Sequence, residues 1–115
     1  DMPPENGLTS LEVTSRAGEE VQGLYVMGEN PVLSEPNSTE VRENLAELEF
    51  MVAQDIFMTE TAELADVVLP ATSWVERGGT VTNTDRRVQR MRPAVDVPGN
   101  TRHDFDIVSD VRRGL

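Results

Sequence analysis

A chain of 115 residues with a formal charge of −11 and 37% hydrophobic content is long enough to form one domain with a core of its own. Such acidity excludes nucleic-acid binding as a main role. With no cysteine and a single histidine, His103, there is neither a disulfide, a thiolate nucleophile nor a self-contained zinc site. No apolar run approaches the roughly 20 residues of a membrane helix. The opening DMPPENG has neither the basic start nor the apolar stretch of a secretory signal, so a cytoplasmic protein is expected.

The first predicted element is a helix over Leu8–Gly18. Thr9 and Glu12 have the spacing of a capping box, Leu8 and Val13 that of a hydrophobic staple, and Gly18 is a natural stop. Leu24-Tyr25-Val26-Met27 is short and apolar and runs into Gly28, the pattern of a buried parallel strand. Gly28-Glu29-Asn30-Pro31 then stands at that strand's carboxyl end. Glycine admits a close ligand and asparagine offers both a donor and an acceptor, but Asn-Pro is equally a turn dipeptide.

Asn37–Glu49 is the best-marked helix, with Asn37 as cap, Glu40 at the capping-box position and Val41, Leu45 and Leu48 as one apolar stripe. Its glutamates read as a solvated face. Phe50–Ala53 is a second buried strand, with Gln54 and Asp55 beyond its end. A carboxylate there can accept two hydrogen bonds from a guanine edge or a ribose diol, or it can cap the next turn. Thr59 opens a short helical segment, with Glu60 placed to favour the positive end of its dipole. Val67–Leu69 is a third strand, stopped by Pro70. Strand, turn, helix and strand make a βαβ-like unit, whose ligands bind where strands end.

From Ala71 to Pro98 little periodicity remains. Trp74, the lone tryptophan, is expected to pack under this loop, and Met27, Met51, Met58 and Met91 to fill the core. Arg77 precedes Gly78-Gly79, where backbone can approach an anion. Arg86, Arg87, Arg90 and Arg92 follow, and arginine forks suit diphosphate or carboxylate oxygens. The plainer alternative is surface ion pairing with Asp85 and nearby glutamates. All ten basic residues are arginine. An acidic, lysine-free surface suits a protein working at high salt, where screening relieves self-repulsion, and we hold that expectation over chance composition. A last helix is predicted from Asp104 to Arg113, with Phe105, Val108 and Val111 at helical spacing. Asp104 is either its cap or a carboxylate facing a ligand, and His103 is an exposed or capping residue. Among the residues taken alone, the fold class is α/β with a parallel sheet.

Three blocks carry a family resemblance: GENP at Gly28–Pro31, QDIFMTETAELADVVLPATSWVE at Gln54–Glu76 and GGTVTNTDRRVQ at Gly78–Gln89. The likeness runs from about Gly7 to Arg113 with these blocks as its most specific parts, and long matched blocks are far more specific than a lone glycine motif. The chain resembles the molybdenum bis(molybdopterin guanine dinucleotide) oxidoreductases, most of all formate dehydrogenase catalytic subunits. That resemblance implies a Rossmann-like three-layer α/β sandwich with a mainly parallel sheet. It also implies that residues 1–115 are one molybdopterin dinucleotide-binding domain of a longer catalytic subunit. Carried over position by position, the family's cofactor contacts fall on Asn30, Gln54, Asp55, Arg77 and Asp104, with Gly28 and Glu29 adjoining the first. Position 77 is often lysine in the family and position 85 often glutamate, where this chain has Arg77 and Asp85.

In the whole enzyme the resemblance implies formate oxidation to carbon dioxide at molybdenum or tungsten. Electrons would leave through iron–sulfur clusters lying elsewhere in the chain. The expected partners are the remaining domains of that subunit and electron-transfer subunits, with neither nucleic acid nor membrane contact from this segment. No catalytic residue and no metal ligand is expected here, and the segment alone is expected to be inactive. The alternatives are a domain of an assimilatory nitrate reductase, or a respiratory-complex module without the molybdenum cofactor. A generic nucleotide-binding domain is the weakest reading, for no G-x-G-x-x-G follows the first strand.

Overall fold

The computed structural model describes residues 6–114; most of the DMPPENG segment and Leu115 lie outside them. Three strands, β1 (Gly23–Met27), β2 (Phe50–Asp55) and β3 (Val67–Pro70), form a parallel sheet in the order β1-β2-β3. The register sets Met27 beside Gln54 and Asp55 beside Pro70, so the carboxyl ends of all three strands share one rim. The expected parallel α/β sheet is present. Its middle strand runs two residues further than predicted and takes in Gln54 and Asp55.

Alternation within the strands separates two faces. Leu24, Met51 and Ala53 belong to the helix-covered side, where Ala17, Val32, Val41 and Leu45 form the packed core. That side carries α1 (Ser10–Ser15), α2 (Pro31–Ser34) and α3 (Ser38–Ala46). Tyr25, Met27, Phe50, Val52 and Gln54 take the other side. There α4 (Asp104–Gly114) runs past the sheet, and Val108 and Val111 line an open hollow with Tyr25 and Met27.

Helix α1 begins as its sequence dictates: the Thr9 hydroxyl accepts from Glu12 N–H, and the Glu12 carboxylate accepts from Thr9 N–H at 2.8 Å. The staple's Leu8 stays exposed. Gly18 closes this corner with φ +82°, and a Cβ there would lie 2.4 Å from Glu47 Cβ. Helix α3 ends at Ala46, earlier than predicted. Asn37 adopts the left-handed conformation, and its amide donates to the Glu40 carboxylate instead of its oxygen capping the backbone. At Thr59 the predicted cap forms, accepting from Ala62 N–H at 3.1 Å, but it opens only a 3₁₀ turn over Ala62–Leu64.

Three expectations fail in the second half. Trp74 is 69% exposed, on a turn beyond β3 where it borders an open cleft and is not covered by the loop. Of the four methionines among the described residues only Met51 is buried in the core. Met27 and Met58 are more than half exposed, one ending β1 on its open face and the other in the turn after β2. The stretch read as aperiodic holds an antiparallel hairpin, β4 (Gly79–Thr82) with β5 (Val88–Met91). Its turn is closed by Asn83, whose side chain accepts from Arg87 N–H at 2.9 Å, and by Arg86 at φ +64°. Arg87 pairs with Asp85 at 3.2 Å. Arg86, Arg90 and Arg92 form no ion pair among the described residues.

Candidate functional site

A cleft of about 340 Å³ opens at the rim where the strands end. It is at the small end of the range for ligand pockets, about 300–1,000 Å³. Gly28, Gln54 and Asp55 reach it from the ends of β1 and β2, Arg77 from the loop after β3, and Asp104 from the start of α4. Five of the seven residues named from sequence are thereby brought together. Glu29 and Asn30 are not among its lining. Glu29 borders a separate hollow between α1 and β1.

Each member of the cleft has a local reason for its place. Gly28 turns the chain at φ +66°, and its N–H donates to the Gln54 carbonyl at 2.9 Å, extending the β1–β2 ladder by one bond. The Asp55 carboxylate accepts from the N–H groups of Ile56 (2.6 Å) and Phe57 (3.1 Å) through Oδ1 alone. Oδ2 has no protein partner among the described residues, so capping the turn leaves this carboxylate able to accept from a ligand.

Asp104 is the most distant in sequence and is delivered by a short piece of sheet. Arg102 N–H donates to the Pro70 carbonyl, and Thr72 N–H to the Arg102 carbonyl, both at 3.0 Å, in a parallel bridge at the outer end of β3. His103 then caps the first turn of α4. Its Nδ1 accepts from Phe105 N–H at 3.0 Å, so Nε2 carries the proton and donates to the Gly78 carbonyl at 3.2 Å. Arg77 Nη1 donates to Asp104 Oδ2 at 2.6 Å, and Gln54 Nε2 donates to Asp104 Oδ1 at 2.8 Å. Both side chains of the ion pair are about one-third exposed or less.

Gln54 is 1% exposed, and its carbonyl oxygen accepts from the Tyr25 hydroxyl. Partial desolvation raises the Tyr25 phenol above its ordinary pKa although the residue is 39% exposed, with the Asp104 charge adding to the effect, so the group stays a donor. Tyr25 was not singled out from sequence, where it reads as one more strand hydrophobe. Thr72 was likewise missed. It lines the cleft, is 3% exposed, and its hydroxyl is the one side-chain polar atom found buried without a partner among the described residues.

Asn30 works beside the cleft. Its carbonyl oxygen accepts from the Thr61 hydroxyl at 2.7 Å, and its amide donates to Glu60 at 2.8 Å. Thr61, fully buried, accepts in turn from Val32 N–H. The Asn30 bond is the main reason the Glu60 carboxyl lies below its usual range. The described residues contain no cluster of His, Cys, Asp and Glu that could hold a metal ion, and no helix long and apolar enough to cross a membrane.

Comparison with known proteins places this chain in a family. A family model described as molybdopterin oxidoreductase matches residues 1–113. The F420-dependent formate dehydrogenase subunit alpha of Methanocaldococcus jannaschii is 49% identical over 115 residues, all of this chain and 17% of that protein. The assimilatory nitrate reductase catalytic subunit of Bacillus subtilis is 38% identical over 116 residues, again the whole chain and 16% of the relative. The chain thus spans about a sixth of the length of these relatives. Among solved structures, acetylene hydratase from Pelobacter acetylenicus superposes with a TM-score of 0.72 over 90% of this chain and 15% of its own. At 24% identity that likeness concerns the fold. Matched along nearly its whole length, the chain belongs to the molybdopterin oxidoreductase family.

Proposed function

We propose that this chain is the dinucleotide-gripping α/β domain of a larger molybdenum or tungsten oxidoreductase that oxidises formate to carbon dioxide. The observation that carries the reading is the convergence of Gly28, Gln54, Asp55, Arg77 and Asp104 on one cleft at the carboxyl rim of a parallel sheet. The greater identity to a formate dehydrogenase than to a nitrate reductase, 49% against 38%, favours formate as substrate.

The residues present fit one end of a molybdopterin guanine dinucleotide. Thr72 offers a buried hydroxyl that lacks a partner, and Asp55 an unpaired carboxylate oxygen. Arg77 brings a guanidinium suited to diphosphate oxygens, and the exposed rings of Phe57 and Trp74 offer flat faces to a base. When bound, the cofactor supplies the two-electron chemistry, and the protein's part is to bind and orient it. On this reading Asp55 and Asp104 accept from guanine or ribose donors. Arg77 answers negative charge while its bond to Asp104 fixes its direction. Gly28 keeps the rim free of a side chain, and Glu29 and Asn30 hold the turn beyond it. Iron–sulfur clusters and the metal's own ligand lie in other domains of the subunit, with electron-transfer subunits beyond, and the setting is cytoplasmic.

The test is made in the full-length enzyme. Arg77→Ala and Asp104→Ala should each weaken cofactor binding by about 1–3 kcal/mol, the loss of a charged hydrogen bond. The readout is pterin and metal content per polypeptide after gel filtration, with melting followed in parallel. Normal content in both variants would refute the assignment.

A further inference from the structure

We propose that Tyr25 is a positioning residue of this site, fixing the Gln54 amide so that its NH₂ group, and not its oxygen, is held against Asp104. The inference rests on the cofactor-site reading above. Tyr25 does not line the cleft and acts only through Gln54.

The direction of this hydrogen-bond chain is forced by chemistry. A carboxylate accepts and cannot donate, so whatever meets Asp104 Oδ1 at 2.8 Å must be a donor, and Gln54 presents Nε2. That choice turns Gln54 Oε1 toward β1, where it requires a donor of its own. The Tyr25 hydroxyl supplies it. Reversing the amide would set two acceptor oxygens against each other at Asp104. Gln54 is 1% exposed, so water cannot readily repair a lost bond, and an unpaired buried amide oxygen would favour reorientation.

Strand geometry accounts for the reach. Met27 is the ladder partner of Gln54, and Tyr25 lies two residues earlier on the same face. A phenol spans the distance to the next same-face position on the neighbouring strand, whereas phenylalanine would bring the ring and no donor. With Arg77 on Oδ2 and the Tyr25–Gln54 pair behind Oδ1, both oxygens of Asp104 are anchored. Its remaining lone pairs are thereby presented in one fixed direction. Raised by partial desolvation, the phenol stays protonated and able to donate through the neutral range.

A purely structural role is the competing explanation, for Tyr25 also borders the hollow lined by Val108 and Val111. Tyr25→Phe separates the two, since it keeps the ring and removes only the hydroxyl. In the full-length enzyme, pterin release would be timed for Tyr25→Phe, Gln54→Met and the double variant, with melting recorded for each. Tyr25→Phe should release pterin about three- to tenfold faster, as expected for one lost neutral hydrogen bond. The double variant should release it no faster than Gln54→Met alone, because without the amide the hydroxyl has nothing to position.

Wild-type release from Tyr25→Phe would overturn the proposal, as would effects of Tyr25→Phe and Gln54→Met that multiply. A structural contribution would move melting without producing this coupling in release. The Arg77→Ala and Asp104→Ala variants distinguish the two levels of failure. If they release pterin early while Tyr25→Phe does not, only the positioning role falls. If both retain it normally, the site falls and the inference with it.

Discussion

Replacing Gly18 by alanine tests whether the corner between α1 and β1 is as tight as it looks. Two costs act there. A left-handed backbone costs an L-residue about 1–2 kcal/mol, and Gly18 sits at φ +82°. The added Cβ would also stand 2.4 Å from Glu47 Cβ and 3.2 Å from the Glu47 carbonyl oxygen. Carbon contacts are optimal at about 3.5–4.0 Å, so more than an ångström must be found. The obstacle is the root of a side chain and not its flexible end, and the carboxyl end of α3 would have to move. Overpacking of that kind costs about 1–3 kcal/mol. Alanine returns about 0.4–1 kcal/mol by restricting the unfolded chain. The net loss expected is about 2–4 kcal/mol, against the about 5–15 kcal/mol that hold a typical domain.

Gly99→Ala is the matched control, with φ +55° and nothing within 4 Å of the added carbon. It carries the backbone cost alone, about 1 kcal/mol or less after the unfolded-state gain. Urea titration of the two variants reports the difference through the midpoint, provided the slope is unchanged. Equal midpoints would show that Glu47 yields freely and that packing against α3 contributes nothing at this corner.

Arg86→Gly should stabilise the hairpin by about 1 kcal/mol, since Arg86 is a non-glycine residue at φ +64°; unaltered urea midpoints would contradict this. Acid should destabilise the domain through Glu12 and Asp110. Glu12 is lowered first by its bond from Thr9 N–H and Asp110 first by its bond from Arg102. Because both folded pKa values are depressed, their contribution is full above the ordinary carboxylate range and disappears as pH falls through the folded values. Glu12→Gln should therefore flatten the acid limb of a melting-versus-pH curve. Thermal unfolding should shift upward from dilute to molar potassium chloride, as screening relieves repulsion in a chain of charge −11; a flat or falling trend would remove the high-salt reading.

Local rules made parts of this molecule readable. Thr9 and Glu12 carry their capping box within four residues, and three short apolar runs stopped by Gly28, by polar residues and by Pro70 became the sheet. The hairpin was equally local, with Thr-Val-Thr, an Asn-containing turn and Val-Gln-Arg-Met in succession. The arginines drew the reading toward charge and away from alternation. Other features depended on distant partners. Nothing near Trp74 tells that its ring stays exposed, and nothing near Asn37 tells that its amide serves Glu40 from a left-handed backbone. At the cleft, Gly28, Gln54 and Asp55 were visible as strand ends. Arg77 before its glycines and Asp104 at a helix start were candidates on their own, but their meeting at one site came only from the family resemblance, since they lie 27 positions apart in sequence and their side chains now stand 2.6 Å apart. Tyr25 and Thr72 gave no signal, because a phenol in a strand and a hydroxyl in a loop acquire meaning only from what the fold sets beside them.

The two flanks of the sheet end differently. On the β3 side, Pro70 lacks an N–H and the Arg102 bridge occupies the outer end of the strand. On the other flank, among the described residues, β1 pairs only with β2; it contains no proline and no charged residue, while Tyr25 and Met27 remain accessible. Unpaired strands of this kind are templates for further strand addition. Growth of the isolated domain by self-association would therefore be limited to pairing Gly23–Met27 of one copy with the same edge of a second. A charged substitution at Tyr25 or Met27, intended to blunt that growth, would alter the same strand face that supports Gln54. Solubility engineering at this edge is thus coupled to the integrity of the cleft, and Gly23, further from the rim, is the safer place for it.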